Sequence, residues 1–141
     1  MKGHAVVDAP ARTPHLLKIL ESILYAHQWC IKQQRKLAKG SDLQGMGPAA
    51  SVKLMEDLRK AGVPQVHVAA GNGHMAVIVA DRVLADPTIC QFTPGTAVFV
   101  GDPDSFLLPA GYLEGAELFS SRKALVAWMS DQGMDTAGLP K

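Results

Sequence analysis

The stretch QVHVAAGNGHMAVIVA, Gln65 to Ala80, decides the fold. Two β-prone runs flank Asn72-Gly73, the dipeptide that best tolerates the two left-handed residues of a type I′ hairpin turn. A two-residue loop sets the register: Gly71 stands opposite His74, Val68 opposite Val77 and His67 opposite Ile78. Side-chain alternation then puts Val66, Val68, Ala70, Met75, Val77 and Val79 on one face. His67, Ala69, His74, Ala76 and Ile78 share the other.

Upstream of the hairpin the pattern is helical. Thr13-Pro14 is a helix start, and a first helix is predicted from about Pro14 to Lys39, closed by Gly40. The loop Ser41 to Gly47 leads to Pro48, and a second helix runs to about Ala61 before Gly62 and Val63-Pro64 end it. Downstream, Asp81 to Asp86 reads as a helical turn or a strand continuation. Ile89 to Phe92 and Thr96 to Val100 read as short strands. Gly101 to Asp104 is turn chemistry, and Phe106 to Phe119 holds one or two irregular strands. Ser120 or Ser121 caps a last helix ending near Gln132.

No strand–helix–strand alternation occurs, so the expected class is α+β. Two N-terminal helices and a C-terminal helix pack on an antiparallel sheet of about four or five strands. The chain reads as a single domain, 1–141, with a loosely ordered leader (1–12), opening with a short strand at His4 to Val7, and a loose tail (134–141).

Composition narrows the function classes. The chain has 141 residues, 48% of them hydrophobic and 19% charged, enough to bury a core without disulfides or structural metal. Fourteen basic and 13 acidic residues leave a net charge of +1, which disfavours nucleic-acid binding across a whole face. Two cysteines, Cys30 and Cys90, with no spacing motif read as buried thiols of a reducing compartment. No secretion signal or membrane-length apolar run occurs, so the cytoplasm is the expected location and no membrane is expected as partner.

Candidate residues follow from the hairpin and the first helix. His67 and His74 share a sheet face but stand roughly 13 Å apart at ~3.3 Å per residue. They cannot chelate one metal unaided, so neither metal nor cofactor is expected. Either histidine could serve as a lone general base, with Asp102 as carboxylate partner. Asp102 beside Pro103 also reads simply as turn chemistry. Ala69 and Ala76 leave room beside the same face for a ligand. On the first helix, His27 lies within an apolar arc and reads as a satisfied core residue, and Cys30 one turn later as an inert thiol. Tyr25 and Trp29, four residues apart among lysines, read as a covered pair or as a partner surface. Lys32, Arg35, Lys36 and Lys39 read as dipole complementation, with a nucleic-acid patch as the sharper alternative. Gly45-Met46-Gly47 could expose backbone N–H groups to an anion, but it follows a helix and lacks the ending of a phosphate loop, so a helix–helix turn is expected; no Gly-x-Ser-x-Gly elbow occurs.

These readings converge on a self-associating module, a dimer by preference, that binds a small-molecule ligand or a protein partner through Tyr25, Trp29, His67, Ala69, His74 and Ala76. The alternatives are a small hydrolase- or isomerase-like enzyme using His67 or His74 with a carboxylate, and a nucleic-acid accessory protein using the basic end of the first helix.

Overall fold

The structure is a computed structural model that describes residues 4–36 and 45–141. In chain order its elements are β1 (His4–Asp8), α1 (Leu16–Lys36), α2 (Gly47–Lys60), β2 (Val66–Gly71), β3 (His74–Val79) and β4 (Val83–Asp86). A single 3-10 turn (Ile89–Gln91), β5 (Thr96–Gly101), β6 (Glu117–Phe119) and α3 (Arg122–Asp131) follow. Among the described residues the six strands form one sheet in the order β1-β5-β4-β3-β2-β6. The class is α+β. The sheet is mixed rather than wholly antiparallel, because β1 joins it parallel to β5.

The hairpin register is as predicted, with Gly71 opposite His74 and His67 opposite Ile78. Asn72 and Gly73 both adopt positive φ, 48° and 76°, as a type I′ turn requires. The face carrying Val66, Val68, Ala70, Met75, Val77 and Val79 forms the main core with Ile19, Ile23, Ala26 and Cys30 of α1 and Val52, Leu54, Met55 and Leu58 of α2. Each such side chain contributes about 1.5–3 kcal/mol by leaving water.

Helix α1 starts at Leu16, two residues later than predicted. His15 is left-handed (φ 60°), and the Leu16 N–H bonds the Thr13 carbonyl at 3.2 Å, closing a turn before the helix. The predicted end at Lys39 and Gly40, and most of the following loop, lie outside the described residues. Most of the apolar arc packs on the core, but Leu17 and Leu24 remain 83% and 42% exposed. Helix α3 is N-capped by Ser121, whose hydroxyl accepts the Ala124 N–H at 3.1 Å.

The strand expected at His4 to Val7 is β1, and both terminal segments contact the rest of the fold. Asp8 lies opposite Gly101, where a Cβ would come within 2.8 Å of the Asp8 Cβ and 3.0 Å of the Phe99 ring. Only glycine permits that approach, and it lets β1 close the sheet edge. In the tail, Leu139 and Pro140 are buried. The Pro140 carbonyl accepts from Arg122, which also pairs with Glu56 of α2 at 3.1 Å.

The second sheet face has its own core of Ala76, Leu84, Ile89 and Phe99, covered by Val6, Ile78, Leu108, Tyr112 and Leu113. Its cover is the segment 102–116, a succession of turns, and of the one or two irregular strands expected within Phe106 to Phe119 one short strand, β6, is present. Positive φ at Gly111, Leu113 and Gly115 breaks extension, so only Glu117–Phe119 pairs with β2. Among the described residues no helix is long and apolar enough to cross a membrane.

Candidate functional site

The first residue of β3, His74, projects onto the face covered by segment 102–116 and is only 7% exposed. Asp86 closes β4 on the same face: Leu84 stands opposite Ile78, and alternation turns Asp86 the same way. Asp86 is fully buried, and its Oδ2 lies 2.7 Å from Nε2 of His74. A buried carboxylate needs hydrogen bonds to offset lost hydration. Asp86 has four. Oδ2 accepts from His74 and from the Tyr112 hydroxyl. Oδ1 accepts from the Thr88 N–H at 2.8 Å and the Thr88 hydroxyl at 3.3 Å.

The Asp86–Thr88 hydrogen bond explains why Ile89 to Phe92 is not the strand predicted. An aspartate side chain bonded to the N–H two residues on starts a turn. The Gln91 N–H then bonds the Thr88 carbonyl at 3.1 Å, giving a 3-10 turn instead. The Gln91 side chain donates to the Thr88 hydroxyl at 2.9 Å, extending the network.

The donor pattern assigns the histidine tautomer. An ionised carboxylate only accepts, so Nε2 of His74 carries the proton. In the neutral ring Nδ1 is then the lone-pair nitrogen, and it has no hydrogen-bond partner among the described residues. Phe92 meets the imidazole edge-on at 4.7 Å between centroids, and Tyr112 lies tilted at 5.4 Å. The ring is clamped in orientation. Burial, and secondarily the charge of Asp86, raise the Tyr112 hydroxyl far above the ordinary phenol range, so Tyr112 stays a donor.

His74 lines a cavity of about 470 Å³ between the hairpin turn, the start of α2 and the C-terminal helix. Gly47, Pro48, Gly71, Gln91 and Trp128 contribute to its wall. The His74 ring lies against the start of α2: a Cβ added to Gly47 would sit 3.6 Å from Nδ1 and 3.7 Å from Cε1, in ordinary contact. Helix α2 has no side-chain cap at Met46 and no acidic residue in its first turn. Its first main-chain donors, the N–H groups of Gly47 and Ala49, have no acceptor among the described residues, while Ala50 bonds the Met46 carbonyl.

Of the candidate side chains named from sequence, His74 lines this cavity, beside Gly45 and Gly47 of the loop weighed there and the Asn72-Gly73 turn. His67 is half-buried on the same sheet face, with an Nδ1 that has no partner among the described residues. Ala69 and Ala76 are fully buried, so the small-residue face is filled by the chain's own cover instead of left open. Asp102 accepts the Asp104 N–H at 2.8 Å as turn chemistry and lines a separate cleft with Asp8, Arg12 and Arg82. The carboxylate partner of His74 is Asp86. Tyr25 is exposed with the Lys53 ammonium 4.8 Å from its ring centroid, whereas Trp29 packs half-buried against the main core. His27 is the satisfied core residue expected, its Nδ1 2.8 Å from the Pro87 carbonyl. Cys30 and Cys90 are both buried, and burial, with Cys90 nearby, pushes the Cys30 thiol up to about 12.

Asp86, Tyr112 and Thr88 were not distinguished by sequence reasoning, whereas Gly47 belongs to the Gly45-Met46-Gly47 loop weighed there. Asp86 carried one usable signal: a carboxylate at the end of the apolar run Val83-Leu84-Ala85, in phase with Leu84. Tyr112 carried none, because it reaches Asp86 from an irregular segment. Among the described residues no group of three or more His, Cys, Asp or Glu side chains could hold a metal ion.

No family model, curated protein or solved structure matches the chain.

Proposed function

We propose that this chain is a small-molecule-binding domain whose ligand occupies the cavity between the hairpin turn, α2 and α3, with His74 as polar anchor and proton acceptor. The observation that carries this reading is the asymmetry of His74. One ring nitrogen is tied to the buried Asp86 while the other has no hydrogen-bond partner among the described residues, in a ring that lines the cavity. A carboxylate that fixes tautomer and orientation while leaving the other nitrogen's lone pair unused is the arrangement of a general base with its orienting partner. The chemistry this arrangement supports is proton exchange with a bound ligand. The volume lies within the range of small-ligand pockets, and Met75, Trp128 and Met134 supply apolar wall.

The test is amide NMR of the purified protein against a fragment set. Shifts clustering at Gly47, Gly71, His74 and Trp128 support the reading. Hits that cluster away from these residues contradict it.

Self-association is a second reading, favoured by a different observation. Leu17 and Leu24 are exposed one heptad apart on α1, next to exposed Tyr25. Such a stripe on a helix suits a second helix of the same kind. Light scattering of the wild type and of Leu17→Glu/Leu24→Glu tests it. Dimeric mass lost in the double variant supports the reading, and monomeric mass in both contradicts it.

A further inference from the structure

We infer that β1 pairs antiparallel with β1 of a second copy of this chain, in a register centred on Val6, so that the two sheets join across a two-fold axis. This rests on the self-association reading and assigns the pairing surface to the edge strand, independently of the leucine stripe on α1. Among the described residues β1 ends the sheet, with β5 on one side and no strand on the other. The His4 N–H bonds the Gly95 carbonyl at 3.0 Å, on the β5 side. Backbone groups alternate along a strand, and the register shift beside His4 adds its extra residue to β5, which leaves β1 regular. Ala5 and Val7 therefore point their N–H and C=O groups away from β5, toward the open edge. Sheet edges are commonly guarded by shortness, Lys or Pro. The opposite edge strand, β6, has three residues. β1 has five, contains neither Lys nor Pro, and is exposed at every position but Val6.

The occupant is a second copy because the strand complements itself. Centred on Val6, Ala5 stands opposite the partner's Val7 and Val7 opposite the partner's Ala5, and each pair exchanges both of its N–H···O bonds. His4 and Asp8 then stand opposite the partner's Asp8 and the partner's His4, so an imidazole meets a carboxylate at both ends. Registers centred on Ala5 or Val7 also join the outward groups, but they set His4 or Asp8 opposite the partner's Val6 and lose the charged pairs. Asp8 has room for the bond: its Oδ2 accepts the Ser105 hydroxyl at 3.0 Å, and its Oδ1 accepts none among the described residues. The apolar positions match as well. Val7 lies opposite Val100 on the helix-bearing face, yet it is 45% exposed because α1 packs on β4 and β5 and α2 on β2 and β3. The partner's Ala5 and, on the diagonal, the partner's Val7 would cover it. Such an interface is isologous, the commonest form among soluble oligomers.

The experiment is sedimentation velocity over a concentration series, with amide hydrogen exchange, on wild type, Val7→Pro, His4→Glu, His4→Lys and Leu17→Glu/Leu24→Glu. Wild type should dimerise, with the Ala5 and Val7 amides protected in the dimer and exchanging freely on dilution to monomer. Val7→Pro removes an N–H that points away from β5 and should weaken the dimer at least about fivefold. His4→Glu sets like charges opposite each other at both ends and should weaken it at least about threefold, whereas His4→Lys should hold or tighten it. Should Val7→Pro unfold, the His4 variants and the wild-type exchange decide. A dimer whose Ala5 and Val7 amides exchange freely, or whose affinity survives both Val7→Pro and His4→Glu, overturns the β1 assignment. If Leu17→Glu/Leu24→Glu then abolishes that dimer, self-association stands on α1 instead. Monomeric wild type at every concentration removes the inference and the self-association reading together.

Discussion

Asp86 Oδ2 lies 2.7 Å from His74 Nε2 while the same oxygen accepts the Tyr112 hydroxyl, so one buried carboxylate joins two strands to the segment that covers them. Removing that acceptor leaves the donors of His74, Tyr112 and Thr88 without partners. Asp86→Ala should therefore cost about 3–5 kcal/mol, and Tyr112→Phe only about 0.5–1.5 kcal/mol, by urea unfolding. A loss below about 1 kcal/mol for Asp86→Ala would contradict the network.

Gly47→Ala separates the cavity from the fold. The position is helical without positive φ, and an alanine Cβ would meet His74 at ordinary contact distance. Stability should hold or rise by up to about 1 kcal/mol through helix propensity. Thermal unfolding checks this.

At Gly101 the same substitution has the opposite outcome. A Cβ there would enter within 2.8 Å of Asp8 and 3.0 Å of Phe99. Gly101→Ala should cost about 1–3 kcal/mol, as for overpacking elsewhere. Hydrogen exchange should show the loss concentrated in β1, the strand displaced.

Alkaline pH should destabilise the protein before any cysteine reacts. Burial raises Cys30 from 9.0 to about 12 and raises Tyr112 upward from 10.0. The folded state then holds protons that the unfolded state has released, so stability falls as pH rises, beginning near pH 9 and continuing to about 12 for Cys30. Urea midpoints across this range should decline, less steeply in Tyr112→Phe. At neutral pH, native protein should resist thiol reagents, and rapid labelling of Cys30 would contradict its burial.

The parts of this fold that are local in sequence were legible there. Asn72-Gly73 specifies its turn through backbone conformation alone, and with it the register and the two faces of the hairpin. Ser121 and Pro48 mark helix starts in the same local way. What was hidden depends on tertiary contact. The parallel docking of β1 is enabled by the missing Cβ of Gly101, far along the chain. The 3-10 turn at Ile89 follows from the Asp86 carboxylate taking the Thr88 N–H, which apolar patterning does not report. For the site, the register put His74 on the correct face, and nothing in the sequence brought Tyr112 to it. The alanine-rich face looked open because its cover, segment 102–116, has no periodicity to reveal it.

The central claim is that Asp86 holds His74 with Nε2 protonated and Nδ1 as the lone-pair nitrogen of a ring that lines the cavity. Long-range proton–nitrogen NMR of the imidazole rings in unliganded protein tests it directly. The account predicts that His74 is the Nε2–H tautomer, with Nδ1 at the shift of an unprotonated ring nitrogen, and that Asp86→Asn disturbs this state. A His74 ring protonated on Nδ1, with Nε2 bare toward Asp86, would contradict it.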